Sequence, residues 1–494
     1  MSSQLRSAAI STSVLPEGHL LTHARTHLHH TLPKVGLGSA EAISHITEDL
    51  APAFNASSRS PNYYGFVTGG TTPAAALADN LVTYHDQNVA VHLPTETIAT
   101  EVEDKALTML CELLKFDATV WQHRIFTTGA TASNVLGLAL GREYVIGEAS
   151  AVRNEEILSV GGLGIVEAMH RAGLEKIQIL TTVPHSSIYK AASIVGLGRA
   201  SVKDVSLKGS THRIDMTLFK EYIGTPGSGT IVSISAGDVN TGLFATTSLA
   251  ELQELRSICD MHGAWIHVDG AFGLMGRMLS GPEYSSIISG CEGLELADSI
   301  TGDGHKLLNV PYDCGFYLSR HPSYAQKVFQ NPNAAYLATT GSNDGILSPL
   351  NVGLENSRRF RALPVYATLL AHGSDGYREM LEQQIALARF IADFIVDSDD
   401  YELLPYSDGP KENQIAQTYM IVLFKAKDNK LNEELVQRIK ATRKVYVSGT
   451  AWEGLPACRF AISNWQVEST REFATIKEVL ESIIKEYLLE GAHD

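Results

Sequence analysis

Short apolar runs alternate with amphipathic stretches through the middle of the chain. The runs at 177–183, 230–235, 265–269 and 314–318 have the length of buried strands and are rich in β-branched and aromatic side chains. A helical period separates two of them at 249–262. Strands that alternate with helices predict an α/β fold with a largely parallel sheet, in which ligands bind beyond the carboxyl ends of the strands.

The same patterns predict elements on either side of this region. Helices are predicted at about 74–84, 97–114, 135–142, 379–396 and 471–488. Further strands are predicted at 401–405, 418–424 and 458–462. The chain from about 366 onward therefore mixes strands and helices, as a small α+β domain does. Residues 1 to about 60 mix helical stretches with Pro and Gly and lack the pattern of an independent core.

Two functional groups are expected at neighbouring strand ends. Asp269 closes the apolar run at 265–269, and Lys306 follows small and polar residues that are expected to end a strand and leave the lysine in a turn. Such a pair is the minimal set for pyridoxal phosphate, because the lysine can form a Schiff base and the acid can hold the pyridinium nitrogen protonated. An Asp after a strand is equally a common helix cap or turn former, so the pair alone leaves both interpretations open.

A turn rich in Gly, Ser and Thr lies between a predicted strand and the helix at 135–142. Free N–H groups and the positive end of the helix dipole would both face this turn, which predicts an anion site around 127–134. The alternative is an ordinary Ser or Asn cap on a buried helix.

Composition narrows the class of protein. The 494 residues exceed one ordinary core and predict two or three packed domains, and 44% of them are hydrophobic. A formal net charge of −16 without a Lys/Arg-rich run argues against nucleic acid and anionic membrane surfaces as partners. No apolar stretch approaches the roughly 18 residues of a membrane span, and no signal peptide is evident at the start. The expected location is the cytoplasm.

Cysteine and histidine patterns do not predict a metal site. The five cysteines are scattered without metal spacing, and their odd number gives no disulfide framework. The segment at 19–32 carries five histidines but no interleaved acid or cysteine. It is predicted to be an exposed helix.

Two motifs carry a resemblance to a known family. The stretches His267-Val268-Asp269-Gly270-Ala271-Phe272 and Asp303-Gly304-His305-Lys306 closely resemble group II pyridoxal-phosphate decarboxylases, which include aromatic-amino-acid and glutamate decarboxylases. The resemblance extends in the family's order from about residue 62 to about 361. It implies a fold-type I enzyme with a mostly parallel seven-stranded sheet in a large domain, a small C-terminal α+β domain and an N-terminal arm around a second subunit. The expected divisions are an arm at 1–75, a large domain at 76–365 and a small domain at 366–494.

The resemblance also implies roles for individual residues. Lys306 would bind pyridoxal phosphate as a Schiff base, Asp269 would hold its ring nitrogen, and His185 would stack on the ring. His305 would position the phosphate or the substrate carboxylate, and Tyr336, in an unpatterned lid-like loop at 331–347, would supply a proton. The remaining residues expected at the cofactor are Thr131, Ala132 and Ser133 at the phosphate, with Thr241 and Ala271 beside the ring. A surface tyrosine in a loop is the alternative for Tyr336, and a structural ion pair is an alternative for Arg358, which resembles the family's arginine-rich helix start below the cofactor.

The implied reaction is decarboxylation of an L-amino acid to the corresponding amine and CO2. The implied assembly is a homodimer with active sites at the interface. An aminotransferase shares the Asp/Lys pair, and Arg459 could act there as a carboxylate clamp. A decarboxylating aldehyde synthase is a second alternative, disfavoured because its loop would carry a phenylalanine where this chain has Tyr336. An inactive homologue that binds the cofactor is a third, disfavoured by the intact Lys306, Asp269 and His185.

The segment that resembles the family's substrate side departs from the aromatic-amino-acid decarboxylases. Gly69 and Val91 stand where those enzymes carry bulky or hydroxylated side chains. Gln87, Asn88 and His92 lie nearby and would make the pocket more polar, although they could equally finish a helix. This departure predicts that a plain aromatic amino acid is not the preferred substrate.

Overall fold

In the computed structural model, the described residues are 11–153, 159–331, 345–407 and 409–492. They form two compact units. The larger unit comprises Thr71–Glu382 and Glu412–Tyr419, and the smaller unit comprises the described residues up to Gly70, Gln383–Lys411 and those from Met420 onward. The predicted division into arm, large domain and small domain stays a prediction. Among the residues that the structure describes, no helix is both long and apolar enough to cross a membrane.

The larger unit is built on a seven-stranded sheet. In chain order its strands are β1 (His123–Thr127), β2 (Lys176–Thr181), β3 (Val202–Asp204), β6 (Ser228–Ser235), β7 (Trp265–Asp269), β8 (Ser299–Asp303) and β9 (Gly315–Ser319), and β4 (Ser206–Leu207) with β5 (Ser210–Ile214) forms a separate hairpin. The spatial order is β1-β9-β8-β7-β6-β2-β3, and only β9 runs against the other six. The predicted α/β fold with a mostly parallel seven-stranded sheet is confirmed.

The smaller unit contains a four-stranded antiparallel sheet. Its strands are β10 (Tyr401–Leu404), β11 (Ile421–Ala426), β12 (Ser448–Trp452) and β13 (Leu455–Ala461), in the order β10-β11-β13-β12. Three of these strands lie where apolar runs predict them. Strand β12 was not predicted, because it is an edge strand with alternate residues exposed and has no apolar run of its own.

Helices occupy most of the remaining chain. They are α1 (Gly18–His27), α2 (Ser39–Ser44), α3 (Pro73–His85), α4 (Ala99–Leu113), α5 (Ala130–Val152), α6 (Val160–Leu163), α7 (Ile165–Ala172), α8 (Ser186–Ile194), α9 (Met216–Ile223), α10 (Leu249–Met261), α11 (Ser285–Cys291), α12 (Gly304–Leu307), α13 (Pro322–Phe329), α14 (Ala362–Val396), α15 (Lys411–Gln417), α16 (Asn429–Ala441) and α17 (Ser469–Gly491). A π-helix spans His45–Leu50. The ends of the predicted helices lie within three residues of the observed ends except at 135–142 and 379–396. Helix α5 is longer than predicted, and α14 consists of two helices that meet at a kink at Gly373 (φ 60°).

Helix α5 packs closely on the middle of the large sheet because glycines face it. A Cβ on Gly137 would collide with the imidazole of His267, and a Cβ on Gly141 would lie 2.9 Å from Cδ1 of Trp265. Both partners belong to β7. The two glycines therefore let the helix backbone approach the strand that ends in Asp269.

The predicted position of Lys306 in a turn is wrong. Strand β8 continues through Gly302 to Asp303, and Lys306 lies in the four-residue helix α12. The strand continues because Gly302 has no Cβ, which leaves room for the ring of Phe316 on the neighbouring strand β9. The local sequence favours a break here, and packing in the sheet overrides it.

Candidate active site

Strands β7 and β8 deliver the two predicted groups to the same edge of the large sheet. The strands are parallel neighbours, with Asp269 opposite Thr301, and their carboxyl ends therefore lie side by side. Asp269 is 8% exposed, and its Oδ1 accepts a 3.3 Å hydrogen bond from the backbone N–H of Ala271. Lys306 follows directly in α12, with its side chain 15% exposed.

Asn134 of helix α5 holds the Asp269 carboxylate. Its Nδ2 donates to Asp269 Oδ2 and to Ser187 Oγ, each at 2.9 Å. Asn134 is completely buried, so the carboxamide exchanges its water contacts for these partners. The carboxylate is thereby fixed from the helix as well as from its own strand.

A chain of hydrogen bonds sets the direction of the Asn134 amide. The indole Nε1 of Trp265 donates to Ser299 Oγ at 3.0 Å, and Ser299 Oγ lies 2.8 Å from His267 Nδ1. His267 Nε2 lies 2.9 Å from Asn134 Oδ1, which can only accept. Burial lowers the pKa of His267 to about 4, so the neutral ring carries its proton on Nε2 and accepts from Ser299 at Nδ1. The amide oxygen thus faces His267 and the amide nitrogen faces Asp269.

His185 is connected to the same group through Ser187. It caps the start of α8, where its Nδ1 accepts from the Ser187 backbone N–H at 3.2 Å and from Ser187 Oγ at 2.7 Å. Because Ser187 Oγ also accepts from Asn134, its own proton is directed to His185. His185 as a residue is exposed, whereas Ser187 is buried.

Lys306 is paired with an acid that has no predicted role. Its Nζ lies 2.7 Å from Asp303 Oδ2, and it also stands 4.3 Å from the centroid of the Phe272 ring. The Asp303 side chain is 4% exposed, and its Oδ1 accepts from the backbone N–H of Ala130 at 2.6 Å. Asp303 therefore connects the lysine to the first residue of α5.

The predicted anion site lies at this helix start. Thr131 and Ala132 are in the first turn of α5 and half-buried. The side chain of Ser133 is directed elsewhere: its Oγ donates to the backbone carbonyl of Phe316 at 3.0 Å and lies 2.7 Å from Thr127 Oγ1. The structure thus brings two of the three predicted phosphate residues to the turn, whereas the Ser133 hydroxyl bonds inside the fold.

His305 borders the same turn. Its Nδ1 accepts from the Cys314 backbone N–H at 3.2 Å, which places the ring proton on Nε2, 3.6 Å from Asp303 Oδ1. Burial lowers the pKa of His305 and favours this neutral form. Its ring stacks on Tyr312, with centroids 4.2 Å apart.

Thr241 lies in the loop after β6 at the same sheet edge. Asp238 Oδ1 accepts from its backbone N–H at 2.8 Å and from its hydroxyl at 2.9 Å. The backbone N–H of Ala236, at the start of this loop, donates to the Asp269 carbonyl at 2.9 Å. Thr241 is thus held in place by its own loop, without a described contact to Asp269 or Lys306.

The other predicted site residues have no described contact with Asp269 or Lys306, or they lie outside the residues that the structure describes. Tyr336 falls outside the described residues, and its role stays a prediction.

Arg358 is buried and forms a two-pronged ion pair with Glu103 at 2.7 and 3.1 Å, which supports its interpretation as a structural ion-pair partner. Gln87 and Asn88 are exposed. The side chain of Gln87 accepts a hydrogen bond from Thr97 Oγ1, and the side chain of Asn88 accepts one from the backbone N–H of Arg358. His92 is buried, with Nδ1 2.7 Å from Thr100 Oγ1.

Sequence patterns predict no functional role for Asn134, Ser187 or Asp303. Asn134 had a detectable signal, since an amide at the start of an apolar helical run is costly to bury unless it has partners. Asp303 had a weaker one, because it stands three residues before Lys306 and could reach it on one face of a helix. Ser187 had none, because a serine in the first turn of a helix is ordinary.

The residues present fit pyridoxal phosphate. The group needs a lysine amine, an acid for the ring nitrogen and donors for a phosphate. Lys306, Asp269 and the first turn of α5 supply these three at one sheet edge. Gly129 keeps the helix start open, since a Cβ there would stand 3.3 Å from His305 Cε1 and 3.5 Å from Asp303 Oδ1.

Comparison with known proteins identifies the family. Residues 23–414 match the family model described as the pyridoxal-dependent decarboxylase conserved domain. The L-2,4-diaminobutyrate decarboxylase of Acinetobacter baumannii is 29% identical over 288 residues, which cover 57% of this chain and 53% of that protein. This chain thus aligns with about half the length of that relative.

Two further relatives align over more of their length. Tryptophan decarboxylase 1 of Oryza sativa subsp. japonica is 25% identical over 429 residues, which cover 82% of this chain and 77% of that protein. Phenylacetaldehyde synthase of Arabidopsis thaliana is 23% identical over 451 residues, covering 88% and 85%. The crystal structure of Oryza sativa TDC with PLP and tryptamine superposes with a TM-score of 0.78 and 19% identity, over 96% of this chain and 93% of that one. At that identity the likeness concerns the fold.

The family model covers well over half of the chain, and the predicted cofactor and reaction class agree with it. The chain therefore belongs to the family of pyridoxal-dependent decarboxylases and is an amino acid decarboxylase that works with pyridoxal phosphate.

Proposed function

We propose that Lys306, Asp269 and His185 carry the decarboxylation in this chain. The observation that supports this most directly is the buried link from Asp269 through Asn134 and Ser187 to His185, at the strand ends next to Lys306. When bound, pyridoxal phosphate supplies an electron sink for the pair left at the substrate Cα as the bond to the carboxylate breaks.

Each residue has a distinct task in this proposal. The amine of Lys306 holds the cofactor covalently and releases it to the incoming amino acid. The Asp269 carboxylate keeps a proton on the ring nitrogen, because a nearby negative charge favours the protonated form. His185 would pack on the cofactor ring, and the bond between Ser187 and its Nδ1 fixes the orientation of the imidazole.

Overall, the amino acid and one proton give the amine and CO2, so Cα must receive a proton after CO2 leaves. Tyr336 is the proposed donor, since a phenol is neutral at pH 7 and can donate once water is excluded. His185 is the alternative donor, with the proton on its Nε2.

The attachment is tested by reduction and peptide mapping. Borohydride treatment of the purified enzyme is expected to leave a cofactor-derived mass on the peptide with Lys306. Lys306→Ala should lose this mass and release no CO2, whereas Lys190→Ala, at an exposed lysine of α8, should keep both. A label on any other lysine would refute the assignment.

A second candidate reaction is decarboxylation coupled to oxidation, which yields an aldehyde. It is raised by the similarity to phenylacetaldehyde synthase and disfavoured by Tyr336. We expect the parent enzyme to release amine without consuming oxygen. Tyr336→Phe should still release CO2 but consume oxygen and yield aldehyde and ammonia in part. An oxygen electrode combined with amine quantification measures both, and an unchanged amine yield in Tyr336→Phe would favour His185 as the donor.

The proposed substrate is an L-amino acid other than a plain aromatic one. The departures at Gly69 and Val91 support this, and the names of the curated relatives cover diamino and aromatic substrates. The test is CO2 release from a panel that includes L-2,4-diaminobutyrate, L-aspartate, L-tryptophan and L-tyrosine, with the amine identified by mass. Turnover of tyrosine far above all others would contradict the proposal.

The proposed assembly is a homodimer, and the proposed location is the cytoplasm. Large apolar side chains are exposed along residues 28–54, as a segment that covers a second copy requires. All five cysteines are free and buried, which fits a reducing compartment.

A further inference from the structure

The histidine-rich segment near the N-terminus acquires an acidic partner in the folded chain. His23 and His27 stand one turn apart on α1, with ring centroids 3.9 Å apart. Asp49, from the π-helix His45–Leu50, places its Oδ1 3.0 Å from His23 Nε2. One ligand atom from each of these three side chains lies within 4.8 Å of the others. The sequence segment itself contains no acid, so only folding creates this set.

Hydrogen bonds from neighbouring groups orient two of the three side chains, His27 and Asp49, for metal binding. His27 Nδ1 lies 2.8 Å from the backbone carbonyl of His23, so Nδ1 carries the proton and Nε2 keeps its lone pair. Asp49 Oδ2 lies 2.9 Å from His45 Nδ1, which leaves Oδ1 facing His23. Such bonds from outside the ligand set are the usual way in which proteins orient metal ligands.

The spacing fits an ion of the zinc class. Bonds of about 2.0–2.2 Å place neighbouring ligand atoms roughly 3.0–3.5 Å apart around a tetrahedral or octahedral ion. The distance of 3.0 Å between His23 Nε2 and Asp49 Oδ1 is already one edge of such a shell. The exposed side chain of His27 is free of packing that would prevent its ring from turning toward the other two ligand atoms, which already lie within 4.8 Å.

We propose that His23, His27 and Asp49 bind one divalent transition-metal ion, with water completing its coordination. Two imidazoles select Zn²⁺, Co²⁺ or Ni²⁺ over Mg²⁺ and Ca²⁺, which prefer oxygen ligands. On binding, the neutral His23 ring takes its other tautomer, in which Nδ1 carries the proton after exchange through solvent, so that both the Nε2 lone pair and the carboxylate oxygen can face the ion.

The ion would join two helices that have little core of their own. Helix α1 buries only Ala24, while α2 and the π-helix bury no residue completely. An ion held by His23 and His27 on one side and Asp49 on the other closes the chain between them. Because binding requires the folded arrangement, the binding free energy stabilises the segment.

The test uses the full-length holoenzyme without an affinity tag, after treatment with a chelator and dialysis. Zn²⁺ is titrated in competition with a chromophoric chelator, and Co²⁺ binding is followed by its visible absorption. One ion per chain is expected. His23→Ala and Asp49→Asn should each weaken Zn²⁺ binding at least tenfold and leave the rate of CO2 release unchanged.

The matched control is His30→Ala, at an exposed histidine of the same segment outside the three-ligand set. It should bind Zn²⁺ as the parent does. Zn²⁺ should also raise the midpoint of thermal unfolding of the parent and of His30→Ala, but not that of His23→Ala. Equal affinity of His23→Ala, Asp49→Asn and parent, or less than one ion per chain at saturation, would overturn the proposal.

Discussion

Asn134 is the residue on which the orientation of the Asp269 carboxylate depends. It joins His267 on one side to Asp269 and Ser187 on the other by direct hydrogen bonds. Its role is positional, since it would act on the cofactor through Asp269. A buried network of this kind is effective only while every member keeps its partners.

Replacing Asn134 with Ala should weaken cofactor binding. The change leaves His267 Nε2 and Asp269 Oδ2 without their amide partner, at a cost of about 1–3 kcal/mol. We expect the dissociation constant for pyridoxal phosphate to rise roughly 10- to 100-fold. Absorbance titration of the apoenzyme measures this directly.

The control for this change lies further along the same chain of bonds. Ser299→Ala removes the partner of His267 Nδ1 but leaves the bonds of Asn134 to Asp269 in place. The dissociation constant of Ser299→Ala for pyridoxal phosphate should rise much less than that of Asn134→Ala. If Asn134→Ala bound the cofactor as tightly as the parent, Asp269 would be held adequately by its own strand.

At the scale of elements, Arg358 joins parts of the larger unit that are distant in sequence. It pairs with Glu103 of α4, and its guanidinium also donates to the carbonyls of Val89 and Phe126 at 2.8 Å. Phe126 belongs to β1, so one side chain ties the chain near 358 to a helix and to the edge of the sheet. The pair is almost completely excluded from water.

Arg358→Ala should therefore destabilise the larger unit strongly. The change leaves the Glu103 carboxylate buried without its counter-ion, and breaking such a pair costs about 3–5 kcal/mol. We expect a clearly lower urea midpoint for the loss of tertiary structure, followed by near-ultraviolet circular dichroism.

The neighbouring arginine provides a matched comparison. Arg359 pairs with Asp79 at 2.6 Å, but both side chains are partly exposed. Exposed ion pairs contribute about 0–1 kcal/mol, so Arg359→Ala should unfold close to the parent midpoint. Similar decreases in the urea midpoint of both variants would show that burial of the ion pair between Arg358 and Glu103 does not increase its contribution to stability.

At the scale of the whole molecule, the segment at 28–54 exposes a series of large apolar side chains. Leu32 is 95% exposed, Val35 80%, Phe54 62% and Ile43 61%. Apolar side chains scattered singly are normal on a surface, but a run of them within one poorly packed segment marks an interaction site. The proposed occupant is a second copy of this chain.

Val35→Asp should weaken the homodimer, because a charge would have to be desolvated at the interface. Sedimentation equilibrium should show at least a tenfold higher dimer dissociation constant. Val166→Asp is the matched control, since Val166 on α7 is also 80% exposed. A parent that sediments as a fully active monomer, or equal effects of both substitutions, would contradict the homodimer.

Local sequence alone determined much of the fold and the two central residues of the site. Buried strands such as β6 and β7 appear as largely apolar runs, because burial on both faces of a parallel sheet favours apolar side chains at successive positions. Asp269 could be singled out because it closes such a run, and Lys306 because small and polar residues precede it in a motif that resembles the family. The family could be recognised from the motifs around them, and the family model agrees.

Tertiary structure decided the contacts that give these residues their geometry. Asn134 reaches Asp269, and Asp49 reaches His23, only after helices have packed, and local periodicity carries no information on which side chains then meet. The course of β8 through Gly302 to Asp303 likewise depends on the ring of Phe316 in the next strand. The local pattern of apolar and polar residues indicates which side chains are buried. Which distant residues then contact each other is decided by the register and packing of whole helices and strands.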